Sequence, residues 1–203
     1  MLSHFLLSPE IYEQSRPAQQ ARIIALKKRR RVAVGAHMSL LFENRRTLLF
    51  HIQEVLRSEG ITSEKRIASE VESYDGLLPR PGVLLATLFL EFTSRAEAHA
   101  VLADVADFDE HTFLRVGPHR LPVRYVRSPD EPKLTAVNYL HIPVPDAQRQ
   151  LLTQNSVPVA FEITHPAYVQ AAILPAITCR EIAADLGVLY AQASSAAARP
   201  THG

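Results

Sequence analysis

The sequence predicts an α+β fold, with a helical N-terminal layer packed on a mostly antiparallel C-terminal sheet that carries a few short helices. Three observations predict it. Up to about residue 80 the apolar residues recur mainly every three to four positions, the spacing of a helix face. From Val83 onward the pattern changes to short runs rich in Val, Leu, Ile, Phe and Tyr, broken by Gly and Pro turns, as in antiparallel strands. Helices first and strands afterwards argue for α+β rather than for alternating βαβ units. No internal repeat and no long linker is present. Residues 1–188 therefore read as one domain, 1–80 mainly helical and 81–188 mainly strand, with 189–203 a flexible tail of low complexity.

Each element has a local justification. Ser8-Pro9 has the form of an N-cap with Pro at the first helical position, opening a short helix to about Gln14. Pro17 then restarts a helix that runs to about Arg29. "VAVGAHMSLLFEN" is rich in β-formers and interrupted by Gly35, which gives one or two short strands. Asn44 caps a helix from Arg45 to Glu59, ended by Gly60, and its Leu48, Leu49, Ile52, Val55 and Leu56 form a buried stripe. Ser63 caps the next, with Ile67, Val71, Tyr74 and Leu78 on one face, and "PRPG" at 79–82 stops it.

"VLLATLFLEF" is apolar on both faces and reads as a central strand. "SRAE" at 94–97 is a capping box opening a helix to about Val105. "HTFLRVGPHRLPVRYV" gives two strands around the turn at 117–120, "SPDEPK" at 128–133 a loop, and "LTAVNYLHIPV" another strand. Asp146 caps a short helix to about Leu152. "VPVAFEITHPAYVQAAIL" is a hairpin turning at His165-Pro166. Thr178 to Glu181 is a second capping box, for a helix through Leu186 that ends at Gly187.

Composition narrows the function classes. The chain has 203 residues, 47% hydrophobic and 21% charged, enough to bury a sizeable core. No run reaches the roughly 18 apolar residues that cross a bilayer, and "MLSHFLLSPEIYEQ" lacks the marks of a signal peptide, so a cytoplasmic protein without membrane contact is expected. A single cysteine, Cys179, excludes an internal disulfide and any cysteine-cluster metal site. With seven glycines and no GxGxxG, P-loop or GxSxG pattern, a nucleotide enzyme is disfavoured. Cys179 falls in the first turn of a predicted helix with no His near it in sequence, which reads as a buried, inert thiol.

Charge is uneven. Residues 1–60 hold ten Lys/Arg against five Asp/Glu, and residues 61–203 hold twelve against sixteen, so the two parts attract each other within one fold. Lys27-Lys28-Arg29-Arg30-Arg31 sweeps about 400° if helical and alternates sides if extended, so some cation must face the body of the protein or a ligand. Pairing with the protein's own carboxylates is the favoured reading. Nucleic-acid binding through Lys27 to Arg31 is a weaker one, because neither interleaved aromatics nor a known module accompanies the run. On the 45–59 helix, Arg46, Phe50 and Arg57 lie opposite the apolar stripe with Glu54 beside them. A Phe among charges suggests that this helix is covered on both sides, by the basic segment or by a partner. Glu43, His51 and Glu54 could in principle serve a metal-dependent enzyme, but no HExxH or paired Glu-x-x-His supports one. No cofactor is expected. The nine histidines are scattered and read as hydrogen-bonded or exposed side chains.

The stretch "IYEQSRPAQQARIIALKKRRRVAVGAHMSLLFENRRTLLFHIQEVLRSE" resembles the opening of an uncharacterised bacterial family, the domain of unknown function 3501. "LLPRPGVLLATLFLEF", "HPAY" and "EIAADL" resemble its later segments, so the likeness covers nearly the whole chain. The family carries Gln at the position of His51, a departure that weakens a metal reading there. The resemblance implies a binding or structural polar cluster at Lys27, Lys28, Arg31, Glu43, Asn44, Arg45, Gln53, Glu54 and Arg57. It also implies an accessory or interaction protein of an iron-dependent redox system, with a rubrerythrin-like diiron protein and an iron–sulfur oxidoreductase as partners.

Overall fold

The structure, a computed structural model, describes residues 5–77, 80–94, 98, 107–126 and 134–197. Two antiparallel sheets form its centre. The first has five strands in the order β1-β2-β3-β7-β6: β1 Arg31–Val34, β2 Met38–Glu43, β3 Val83–Leu90, β6 Arg124–Val126 and β7 Val137–Pro143. The second has four in the order β5-β4-β8-β9: β4 Thr112–Val116, β5 His119–Pro122, β8 Val159–His165 and β9 Tyr168–Ile173. The helices are α1 Pro9–Arg30, α2 Arg45–Ser58, α3 Glu64–Ser73, α4 Asp146–Gln154 and α5 Ala176–Ala197. The class is α+β, and the expected sheet is divided into two.

Alternation along the strands makes the layers. Leu40, Phe42, Leu84, Ala86, Leu88, Leu140 and Ile142 of the first sheet share one buried cluster with Leu114, Val116, Phe161 and Ile163 of the second. The opposite side of the first sheet carries Leu85, which joins Leu48, Ile52 and Leu56 of α2 and Val71 of α3 in a second cluster. The first sheet is thus covered on both faces, which is why β3 reads as apolar throughout. At one open edge, the Tyr168 hydroxyl donates to the Val34 carbonyl at 2.7 Å, bringing β9 beside β1. Gly35, at φ +68°, makes this approach possible: a Cβ there would lie 2.4 Å from that hydroxyl.

Several local expectations are corrected. α1 does not break at Pro17 but runs from Pro9 to Arg30, with the Ser15 hydroxyl donating to the Ile11 and Tyr12 carbonyls one turn before the proline. The segment 111–126 makes three strands, because β6 leaves the second sheet and pairs with β7 in the first. Asp146 lies in the first turn of α4, whose cap position is Pro145. Thr178 does not cap α5: the helix starts at Ala176, the Thr178 hydroxyl donates to the Arg29 carbonyl at 2.8 Å, and Gly187 is passed without a stop. The helix read over 94–105 and the loop over 128–133 fall mainly outside the described residues. Among the described residues no helix is long and apolar enough to cross a membrane.

Candidate functional site

The basic run sits where α1 hands over to β1; Arg29 and Arg30 turn to α5 and Arg31 turns away to Ser39 and Glu91. Arg30 is fully buried. Its Nε donates to the Phe42 carbonyl at 2.7 Å and its Nη2 to the Glu43 carbonyl at 3.3 Å. The other contacts reach α5: Nη1 to Glu181 Oε2 at 3.3 Å, and Nη2 to Asp185 Oδ2. Arg29 holds the second oxygen of Glu181 at 2.7 Å. Asn44 joins the same joint, its Oδ1 accepting from the Arg46 and Thr47 amides to cap α2 while its Nδ2 donates to Asp185 at 3.4 Å. Burial pushes the Asp185 carboxyl above its usual value even beside Arg30. Burial acts the same way on Glu181, but the Arg29 and Arg30 contacts outweigh it and hold that carboxyl low.

Glu54 anchors the other end of α1. Arg16 grips it through two parallel bonds, both 2.8 Å, and the Tyr12 hydroxyl donates to it at 2.6 Å. The hydrogen bond from Arg16 is the largest influence on its carboxyl, which is held at about 2. Arg57 meets Glu13 at 2.6 Å. The Gln53 amide pairs with both backbone groups of Leu7, accepting at 2.9 Å and donating at 3.2 Å. Gln53, Arg57, Tyr12 and Glu13 line a groove of about 170 Å³ at the start of α1. The second cover on α2 is therefore α1 itself, lying along the face that carries Glu54 and Arg57.

The remaining residues of the expected cluster are dispersed. Arg31 donates to Ser39 at 2.9 Å and Glu91 at 3.1 Å, and its guanidinium lies 4.6 Å from the Phe89 ring centre. Arg45 stacks on the Phe5 ring at 3.8 Å. Lys28 is exposed and Lys27 half-buried; among the described residues neither has an ion-pair or hydrogen-bond partner. Glu43 accepts from the Thr87 hydroxyl at 3.2 Å, and its second oxygen is buried with no hydrogen bond. So the nine residues divide among separate contacts rather than meeting in one place. Glu54 is clasped by Tyr12 and Arg16 of α1, and the described residues contain no group of three His, Cys, Asp or Glu able to hold a metal ion.

Elsewhere, His165 and His111 make structural contacts. His165 is buried between Asp107, 3.0 Å from its Nε2, and the Ala167 amide, which donates to its Nδ1. His111 also approaches Asp107, at 3.4 Å. Cys179 is buried, its thiol pushed up by desolvation, and it donates to the Leu174 carbonyl at 3.8 Å. Arg30 enters the sequence reading only as one of five cations, and Tyr12, Arg16, Glu181 and Asp185, which complete the joints, are not among its candidates. One signal pointed to the last two. They stand four apart, on one face of an otherwise mostly apolar helix, where a carboxylate pair needs a cation.

No curated protein matches the chain. A crystal structure described as a novel protein of unknown function from Burkholderia pseudomallei K96243 superposes with a TM-score of 0.82 at 33% identity, covering 89% of this chain and 96% of that one. The model of the family described as "Protein of unknown function (DUF3501)" matches residues 3–186. By this match and the shared fold, the chain belongs to the DUF3501 family.

Proposed function

We propose that this is a non-catalytic accessory or interaction protein of the cytoplasm. One observation supports the reading most directly. The charged residues that could have formed a reactive centre are engaged in holding elements together: Glu54 by Arg16 and Tyr12, and Arg29 and Arg30 by Glu181 and Asp185. That disposition counts against a metal-dependent enzyme built on Glu43, His51 and Glu54, which loses Glu54. It also counts against nucleic-acid binding through Lys27 to Arg31, where only two cations of the five lack a carboxylate partner among the described residues.

The finer reading is that the protein serves an iron-dependent redox system, with rubrerythrin-like and iron–sulfur oxidoreductase proteins as partners. Its support is the family resemblance, which is association and not chemistry. The test is to tag the chromosomal copy, purify it from the native organism without chelators or a His-tag, and identify co-eluting proteins and metals. Near-stoichiometric recovery of an iron–sulfur or rubrerythrin-like protein is expected, with less than about a tenth of an equivalent of transition metal on the isolated chain. Recovery of the chain alone, or with a full equivalent of metal, would overturn the reading.

A further inference from the structure

The groove at the start of α1 combines an apolar floor with an open rim. Leu56 of α2 and Ile61 just after it are each 5% exposed, and Leu7 and Ile67 of α3 line the groove with them. Local bonds hold this shape. The Ile61 amide donates to the Leu56 carbonyl at 2.8 Å and the Gly60 amide to the Arg57 carbonyl at 3.2 Å, closing the last turn of α2. Gln53 fixes another wall by binding both backbone groups of Leu7. The rim at Gly60 stays clear: a Cβ there would meet nothing within 4 Å.

A cation lines the same groove. Arg57 spends only its Nε on Glu13, at 2.6 Å, and among the described residues its Nη1 and Nη2 have no partner. A guanidinium held by one nitrogen keeps a pair of donors that matches a carboxylate. Arg16 differs, since Glu54 takes both its Nε and its Nη2. The Tyr12 hydroxyl and the Gln53 amide, also at the groove, are engaged as well. Arg57 therefore offers unspent hydrogen-bonding capacity beside an apolar floor.

Size limits what fits. At about 170 Å³ the groove is smaller than the roughly 300–1,000 Å³ of sites that enclose a whole small molecule. It has room for one aliphatic side chain, with a carboxylate on Arg57 and an open side for a chain to leave. The last residue of a polypeptide carries that combination. At the exposed rim the Gly60 carbonyl and the Thr62 amide take no hydrogen bond among the described residues, so both are available to a departing backbone. We propose that this groove captures the C-terminal residue of a partner protein, its aliphatic side chain on Leu56, Ile61 and Ile67 and its carboxylate on Arg57. The inference rests on the interaction-protein reading and gives it a docking point.

The test titrates the isotope-labelled full-length protein with N-acetyl-leucine and follows amide chemical shifts. Three probes each lack one feature: N-acetyl-leucinamide the carboxylate, N-acetylglycine the side chain, and isovalerate the peptide group. Saturable shifts at Gly60, Ile61 and Thr62 are expected, with each of the three probes about tenfold weaker or more. Arg57→Ala should weaken N-acetyl-leucine by about tenfold or more with the circular dichroism unchanged. Should that variant fail to fold, Arg57→Lys, which keeps the charge and loses the fork, should still weaken it severalfold. The proposal is overturned if no saturable shift appears, if the shifts lie away from the groove, or if a folded Arg57 variant keeps full affinity. Equal binding of N-acetyl-leucinamide also overturns it, as does isovalerate binding at least as tightly, which would assign the groove to a free acid. A partner recovered from the native organism with no binding here overturns this proposal alone. Recovery of the chain alone, with N-acetyl-leucine bound as expected, overturns the interaction-protein reading and leaves the chemistry of the groove in place.

Discussion

The two ends of α1 are fastened by the same chemistry in different surroundings. At its C-terminal end, Arg30 is fully withdrawn from water, held by two backbone carbonyls and by Glu181 and Asp185, whose side chains are 21% and 23% exposed. At its N-terminal end, Arg16 and Glu54 are 26% and 28% exposed, and the neighbouring Arg57–Glu13 pair is 41% and 54% exposed. Both ends set guanidinium on carboxylate, so that pairing alone does not distinguish them. Burial does. A buried charge must keep every partner, because the alternative is a dehydrated ion, whereas an exposed pair competes with water at nearly equal free energy.

The largest effect should come from the buried end. Losing Arg30 leaves Asp185 and Glu181 without their shared cation and two carbonyls without a donor. Arg30→Ala should therefore lower the unfolding free energy by about 3–5 kcal/mol, measured by urea denaturation. Asp185→Asn should cost less, since the carboxyl is already pushed toward its neutral form and an amide keeps a hydrogen-bond acceptor for Arg30. If the two variants cost the same, charge rather than hydrogen bonding dominates the joint. Should Arg30→Ala cost less than about 1 kcal/mol, in the range of exposed pairs, the contrast between the two ends fails.

Glu54 comes next and carries a pH signature. Its carboxyl is held at about 2 against an ordinary 4.5, so the folded state binds its proton more weakly than the unfolded chain does. That stability is fully present above pH 4.5 and is lost as the pH falls toward 2. Discounted for partial exposure, its worth is about 1–2 kcal/mol. Glu54→Gln should lower stability at pH 7 by that amount and flatten the acid limb of the stability curve. An unchanged limb would show that other carboxylates set acid sensitivity. Tyr12→Phe should cost about 1 kcal/mol, as the Glu54 carboxylate loses a hydroxyl donor while the buried ring stays in place.

Much of this was legible in sequence, and the exceptions have physical causes. Periodicity locates α2 and β3 because each buries a full stripe or face. Asn44 was legible as a cap because its side chain acts within three residues. Pro17 misled because tertiary anchoring outweighed a local breaker: Tyr12 and Arg16, either side of the turn before it, are both bound to Glu54. Thr178 misled for a similar reason, its hydroxyl finding the Arg29 carbonyl rather than its own helix start. Self-pairing of the basic run holds for Arg29, Arg30 and Arg31 but, among the described residues, not for Lys27 and Lys28. Which of the five cations is buried is not legible, because the carboxylate partners of Arg30 lie about 150 residues away on α5, a separation that no local pattern records.

The smallest effect should come from Arg57. It resembles Glu54 in sequence, three residues on and on the same face, and from sequence the two would be expected to matter alike. The structure separates them, since Arg57 reaches a single exposed carboxylate at the rim of the groove. Arg57→Ala should therefore change stability by no more than about 0.5 kcal/mol, and a double-mutant cycle with Glu13→Gln should give a coupling of similar size that vanishes in high salt. A coupling above about 1 kcal/mol that survives salt would mean the groove excludes water around this pair. Arg57 would then belong with Arg30, and the boundary between tight and loose ends of α1 would move one helical turn toward its start.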